Sequence, residues 1–383
     1  MIRGINRYAR ETGRLSCFHA PPEYFHFAAQ GAIYSDGSFG TVTSNVRGII
    51  LTNELRDFDE ITKLDLPMII HRMTRQPVAP FPRILGDNAA VGEMAAEHML
   101  ERGFRNFGFC GNNVGMASRE RFESFSNYIT GAGYQVSCHL HPLDKLLTEW
   151  QDQFKALGKW LRELPKPVAI LAANDQRAHG IVRCCLNMGL SIPEDVAVLG
   201  VDNEKVLCET TTPTLSSVAL GHEQAGYEAA ALLYKLITGK AKMESQRILV
   251  HPTEVVQRQS TNVMLIADQD VVKAIGFIRA NAARIVDVND VAKAAAVSRC
   301  TLERKFKTIL NKTVSGAIKR YRVEHVCRLL AETDMSISEI ATSLGYEDGQ
   351  HFSRFFKLVK KTTPLAYRKK FCTPNRANIK RVR

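Results

Sequence analysis

Between residues 2 and 258, short apolar runs alternate with longer amphipathic stretches. The runs at 48–51, 68–70, 107–110, 168–172 and 196–200 are rich in β-branched or aromatic residues and closed by polar or glycine positions. That is the pattern of strands buried on both faces. Helical spacing of apolar positions covers 89–102, 120–131, 149–163, 176–188 and 224–238. Gly103, Gly131, Gly189 and Gly239 close four of these stretches, where a left-handed cap is wanted. Strand–helix alternation over about 260 residues predicts an α/β unit of parallel sheets in two lobes. After 259–268 the rhythm changes. Helical patterns then fill 269–281, 288–295, 298–309, 314–331, 336–344, 349–358 and 364–371, with no strand among them. The expected division is an α/β domain over 1–262, an all-α domain over 268–371 and a basic tail over 372–383.

Composition sharpens this division. The 383 residues carry a formal charge of +12. From Asn262 onward there are 24 Lys and Arg against 11 Asp and Glu, or +13, which leaves the first 261 residues at −1. A neutral body joined to a basic helical domain suggests a sensor coupled to a polyanion binder. No run of about 18 apolar residues is present, so no membrane span is expected. The first residues lack the pattern of a signal peptide. The nine cysteines are scattered without a Cys-x-x-Cys, which speaks against a disulfide framework and a zinc site. The expected setting is the cytoplasm.

The helical domain contains a repeat of about 50 residues. Asp290-Val291-Ala292, Ala296-Val297-Ser298 and Arg304-Lys305-Phe306-Lys307 correspond to Glu339-Ile340-Ala341, Gly345-Tyr346-Glu347 and Arg354-Phe355-Phe356-Lys357. Each copy reads as helix, short turn, helix, with Ala or Gly in the turn expected to let the two helices cross closely. Leu302, Phe306, Ile340, Ala341 and Leu344 form the apolar stripes. Away from them lie Arg299, Cys300, Glu303 and Arg304 in the first copy, and Gln350, His351, Ser353 and Arg354 in the second. Residues early in the second helix of such a unit face base edges in the major groove of double-stranded DNA. Lys305, Lys307, Lys357, Lys360 and Lys361 are expected on phosphates, where they position without specifying.

The second copy runs on through Phe352-Ser353-Arg354-Phe355-Phe356-Lys357 to Thr363-Pro364-Leu365-Ala366-Tyr367-Arg368. Over about 268–371 the chain resembles the AraC/XylS family of bacterial transcription regulators. The resemblance implies two helix-turn-helix units joined by a long helix at 314–331, with both recognition helices on one face of the DNA. Gly349 and Cys300 depart from the residues usual at those positions in the family, which bears on base preference and not on groove placement.

In the α/β part, polar residues stand at the ends of apolar runs, where open α/β sheets bind ligands. Asp87, Asn174 with Asp175, and Asp202 follow such runs, and Arg121 is expected in the first turn of the helix after 107–110. Carboxylates, an amide and a guanidinium suit a polyhydroxylated ligand, while helix capping is the competing reading for the Asp and Asn positions. His139 and His141 lack a carboxylate partner for a metal site, Asp57 and Asp59 read as loop acids, and 111–115 is too short for a phosphate loop. No catalytic set, metal or cofactor is expected.

Gly86-Asp87-Asn88, Arg119-Glu120-Arg121-Phe122, Ala173-Asn174-Asp175, Gly200-Val201-Asp202-Asn203 and one closing strand from Arg247 through Val256 resemble the effector domain of LacI/GalR regulators. In that family the positions of Arg121, Asn174 and Asp202 reach the bound sugar. A LacI-type sensor ahead of an AraC-type reader resembles the bacterial xylose-operon regulator group. The resemblance implies a non-enzymatic, homodimeric activator that takes xylose or another pentose and touches RNA polymerase. A sugar-binding protein, or a sugar-metabolising enzyme with an appended DNA-binding module, is the other reading. Finally, 2–11 reads as the first helix of the sensor and 15–19 as the next strand. In such a fold a strand precedes that helix, so the expectation is either a chain that begins some 10–25 residues upstream (one strand plus its entry) or a poorly folding fragment.

Overall fold

The computed structural model describes residues 1–17, 46–51, 66–71, 81–113, 115–141, 150–244, 246–310, 312–333, 335–346, 348–360 and 362–371. Elements are numbered in chain order among these residues. Asp57, Asp59, Lys361 and the 372–383 tail lie outside them.

A first lobe is built on a parallel sheet of β1 (Ile49–Leu51), β2 (Met68–His71), β3 (Arg83–Gly86) and β9 (Arg247–Val250), in that spatial order. Helix α1 (Ile2–Thr12) packs on α7 (His222–Ile237), and α7 buries Ala225, Ala229 and Leu233 against Ile69, Ile84 and Ile248 of the sheet. Gly13 closes α1 in a left-handed conformation. Leu15–Cys17 run on without ladder bonds to a described neighbour, so the strand expected at 15–19 is not formed over those three residues.

The second lobe holds six strands in the order β10-β8-β7-β6-β4-β5. These are β4 (Asn106–Asn112), β5 (Val136–His141), β6 (Val168–Ala172), β7 (Val196–Asp202), β8 (Ser216–Leu220) and β10 (Pro252–Val256). All pair in parallel except β10 on β8. Alternation along the strands divides the core in two. Ala169, Leu171, Ala197 and Leu199 meet α2 (Asn88–Leu100) and α3 (Met116–Gly131) on one face. Val168, Ile170, Val196 and Val198 meet α4 (Trp150–Glu163), α5 (Asp175–Asn187) and α6 (Lys205–Thr210) on the other.

Among the described residues the chain crosses between lobes at three places: β3 into α2, β8 into α7, and β9 into β10. The single closing strand expected at 247–256 is therefore two strands. His251 and Pro252 end one ladder and start another in a different sheet, because proline cannot continue the donor row. Two backbone bonds tie the crossings together, Asp87 N–H to Val250 O at 3.0 Å and Gly221 N–H to His251 O at 2.9 Å.

The rest is helical: α8 (Gln269–Ala280), α9 (Val288–Ala294), α10 (Arg299–Leu310), α11 (Val314–Glu332), α12 (Ile337–Ser343), α13 (Gly349–Lys360) and α14 (Pro364–Phe371). Capping boxes start α9 at Asp287 and α12 at Ser336. The stripe residues Leu302, Phe306, Ile340, Ala341 and Leu344 are buried in two cores, one per repeat. The turn residues act differently from expectation. Ala296 and Gly345 both take positive φ, 57° and 78°, and a Cβ on Gly345 would meet Ile285 carbons only at 3.7 Å. Backbone conformation, not helix crowding, selects the small residue there. Gly131 likewise is not the left-handed cap of α3; Gly133 is, at φ 89°. Among the described residues no helix is long and apolar enough to cross a membrane.

Candidate functional site

The three crossings bring strand ends and helix starts to one crevice. Helix α3 starts at Met116 after Gly115, four residues earlier than its sequence pattern indicates, because Gly115 offers no side-chain cap to mark the start. Arg121 therefore lies in the second turn, not the first, and is buried. Its Nε donates to Asn88 Oδ1 at 3.0 Å and its Nη1 to the Ala173 carbonyl at 2.5 Å. Asn88 in turn donates to Glu120 Oε2 at 2.8 Å. Thus α2, α3 and the end of β6 hold the guanidinium in place. Nη2 is left 3.8 Å from Asp202 Oδ1, too long for a hydrogen bond. A hydroxyl between them can accept from Arg121 and donate to Asp202.

Asp202 ends β7 with φ 105°, a backbone state that L-residues seldom adopt, and Asn203 follows at φ 51°. Asn203 is held by Ser217 Oγ at 3.0 Å and Arg258 Nη2 at 2.9 Å. The Asp202 side chain keeps 41% of its surface, yet burial within the cleft walls pushes its carboxyl up to about 6. Arg121 opposes that rise, and Asp175 and Glu204 add to it.

The other predicted acids and amides have partners within the chain. Asp175 is 1% exposed and accepts from Ser217 Oγ at 2.6 Å, Glu204 N–H at 2.7 Å and Cys208 Sγ at 3.4 Å. Gly200 makes room for it, since a Cβ there would lie 2.1 Å from Asp175 Oδ1. Asp175 thereby knots the start of α5 to α6 and β8. Asn174 caps α5 through Arg177 N–H at 2.9 Å. Asp87 caps α2 through Ala90 N–H at 3.3 Å, and its second oxygen meets His251 Nδ1 at 2.7 Å, linking two of the three crossings.

Three histidines at the crevice escape the sequence pattern: His251, His71 at the end of β2, and His222 at the start of α7. The His71 and His222 rings meet edge to face, with centroids 6.4 Å apart. Burial first, then the chain's amino group, His71 and Arg121, push His222 down to about 4. It is a neutral imidazole near neutral pH, able to donate to one hydroxyl and accept from another. His139 and His141, by contrast, lie on β5, where His139 stacks on Trp160. Among the described residues no group of three His, Cys, Asp or Glu comes together in metal-binding fashion.

On the helical side, Arg299, Cys300, Glu303 and Arg304 are exposed on α10, and Gln350, His351 and Arg354 on α13, with Ser353 half-buried. Arg299 pairs with Glu303 at 3.0 Å along the helix. Lys307, Lys357 and Lys360 are exposed. Lys305 departs from that face: it is pinned to Asp268 and Asp270 near the start of α8 at 2.7 and 2.5 Å. Those two carboxylates hold its ammonium above its ordinary pKa.

Residues 96–261 match the profile of a periplasmic binding protein-like domain, and residues 291–370 that of a helix-turn-helix domain. The xylose operon regulatory protein of Escherichia coli (strain K12) is 32% identical over 350 residues, 88% of each chain. The chain belongs to that family. Its Haemophilus influenzae counterpart is 33% identical over 291 residues, 75% of each chain. The solved structure of a xylose-binding transcription activator matches with a TM-score of 0.52 at 32% identity, covering 85% of this chain and 87% of the other. A transcriptional regulator in complex with cellobiose shares the fold, with a TM-score of 0.51 at 23% identity over 68% and 77% of the two chains. The family is one of DNA-binding transcription regulators with an AraC-type helix-turn-helix domain and a periplasmic-binding-protein-like sugar domain.

Proposed function

We propose that this regulator is an activator whose effector is a pentose, xylose first among them, held between the lobes. The observation that carries this is the 3.8 Å gap between Arg121 Nη2 and Asp202 Oδ1, with neutral His222 near enough to feel the Arg121 charge. It accepts a hydroxyl from one side while the histidine serves another. Asn174 extends the polar rim. Asp87 and Asp175 act as positioning residues, one at the crossings and one behind Asp202. Residues 1–262 form the sensor and 268–371 the reader. Arg299, Cys300, Glu303, Arg304, Gln350, His351, Ser353 and Arg354 address bases, while Lys307, Lys357 and Lys360 address phosphates. The regulator works in the cytoplasm, without catalysis, as a homodimer that contacts RNA polymerase at its promoter.

A thermal-shift panel of pentoses and hexoses tests the effector reading, because a ligand that binds only the native state raises stability by mass action. The expected result is a rise with D-xylose or another pentose, lost in Asp202→Ala, whose own folding stays intact, and lost in Arg121→Ala, which also melts lower because Asn88 and the Ala173 carbonyl lose their buried partner. A panel in which no pentose shifts the wild type, or in which Asp202→Ala responds unchanged, overturns it.

A further inference from the structure

The helical domain touches both lobes, and each of the two helices that receive it starts at the crevice. On the second lobe, Glu97 and Glu101 lie at the far end of α2. Lys312, just before α11, meets Glu97 and also Glu101 at 2.8 Å. Arg320 of α11 meets Glu97 at 3.1 Å and also Glu101. Glu101 is buried. Burial works against the charged Glu97 carboxylate, yet Arg320 and Lys312 outweigh it and hold its pKa below the ordinary value. Arg328, further along α11, adds a 3.8 Å contact to Glu254 of β10. On the first lobe, α14 of the second repeat lies against α7.

Helix α2 begins at Asn88, which holds Arg121, and directly after Asp87, which holds His251. The helix then runs about 14 Å to Glu97 and about 20 Å to Glu101, just past its end. Helix α7 begins at His222 itself. A change in the angle between the lobes therefore displaces the two anchor points of the reader relative to each other.

We propose that the reader is a strap across the two lobes, and that the Glu97–Glu101–Lys312–Arg320 clasp passes sugar-driven closure to the second helix-turn-helix unit within one chain. This rests on the crevice being the effector site. The clasp is the firmer anchor, because four charged groups share it in a partly buried setting. Closure therefore displaces α14 on α7 and leaves α11 fixed to α2. The ligand acts only through its different affinity for the two arrangements.

Hydrogen exchange on the full chain, with and without D-xylose, reads each part separately. In the wild type, exchange should change at the first turn of α7 and also across α14, by about fivefold or more. In Lys312→Ala and in Glu97→Gln, the change at α7 should persist while that at α14 disappears, and the double variant should lose no more than either single one. Lys312→Arg keeps the charge and should keep the response at α14. A wild type that responds at the crevice but not at α14, or clasp variants that respond like the wild type, overturns the strap. No response at the crevice removes the effector reading itself, and the strap with it.

Discussion

Asp202 concentrates the chemistry of the sensor. Its backbone is strained at the end of β7, and burial first pushes its carboxyl up to about 6, with Arg121 opposing and Asp175 and Glu204 adding to the rise. The folded pKa lies above the ordinary carboxylate value. Its contribution to stability is therefore present at low pH and lost as pH rises through about 6. Sugar binding runs the other way, since a hydroxyl donates to the ionised form. Pentose affinity should fall about tenfold for each pH unit below 6, and Asp202→Asn should bind weakly with a flat profile. Calorimetric titrations between about pH 7.5 and 5 check both curves; parallel profiles for the two proteins would contradict the role given to Asp202. That Asp202 and Asn174 stand at the crevice was legible in the sequence because each follows an apolar run, and Arg121 because it belongs to the helix after one. His71, His222 and His251 were not, since a lone histidine carries no pattern and only the three crossings bring these together. Asp87 illustrates a double role: the helix cap is a local signal, whereas its bond to His251 joins positions 164 apart.

At the level of elements, the helical half was the most legible. Its apolar period and its two capping boxes mark the starts of α9 and α12 with residues that satisfy free backbone donors. Where the cap has no side chain, as at Gly115, no sequence signal marks the start of α3, and Arg121 lies one turn deeper than the pattern indicates. Lys305 departs from its sequence pattern for a related reason. Helical spacing puts it at the edge of the reading face, but Asp268 and Asp270 arrive from α8, a separate element. The recognition helices yield a test of their own. Arg354→Ala on α13 should cost about 1–3 kcal/mol on a specific site and relax base preference there. Lys360→Ala should weaken specific and random duplexes alike and reduce the slope of affinity against salt. Competition binding at several salt concentrations separates the two; equal losses on both kinds of DNA for Arg354→Ala would place α13 outside the groove.

For the molecule as a whole, the charge split anticipated a sensor and a reader, and strand–helix alternation anticipated the two lobes. What lay beyond reach was their junction. Glu97, Glu101, Lys312 and Arg320 look like solvated surface charges along the chain, and only the fold sets them against one another across more than 200 residues. On the proposed reading, sugar occupancy sets DNA affinity through the crossings and the clasp. By linkage, the coupling should have the same size from either side. The most direct measurement is the affinity of the purified chain for its promoter duplex at one fixed salt concentration, with and without D-xylose, for the wild type and Asp202→Ala. The sugar should tighten wild-type binding by roughly 5–150-fold, while the variant stays at the sugar-free wild-type value. A wild type that binds D-xylose yet holds DNA equally well with and without it would contradict the account.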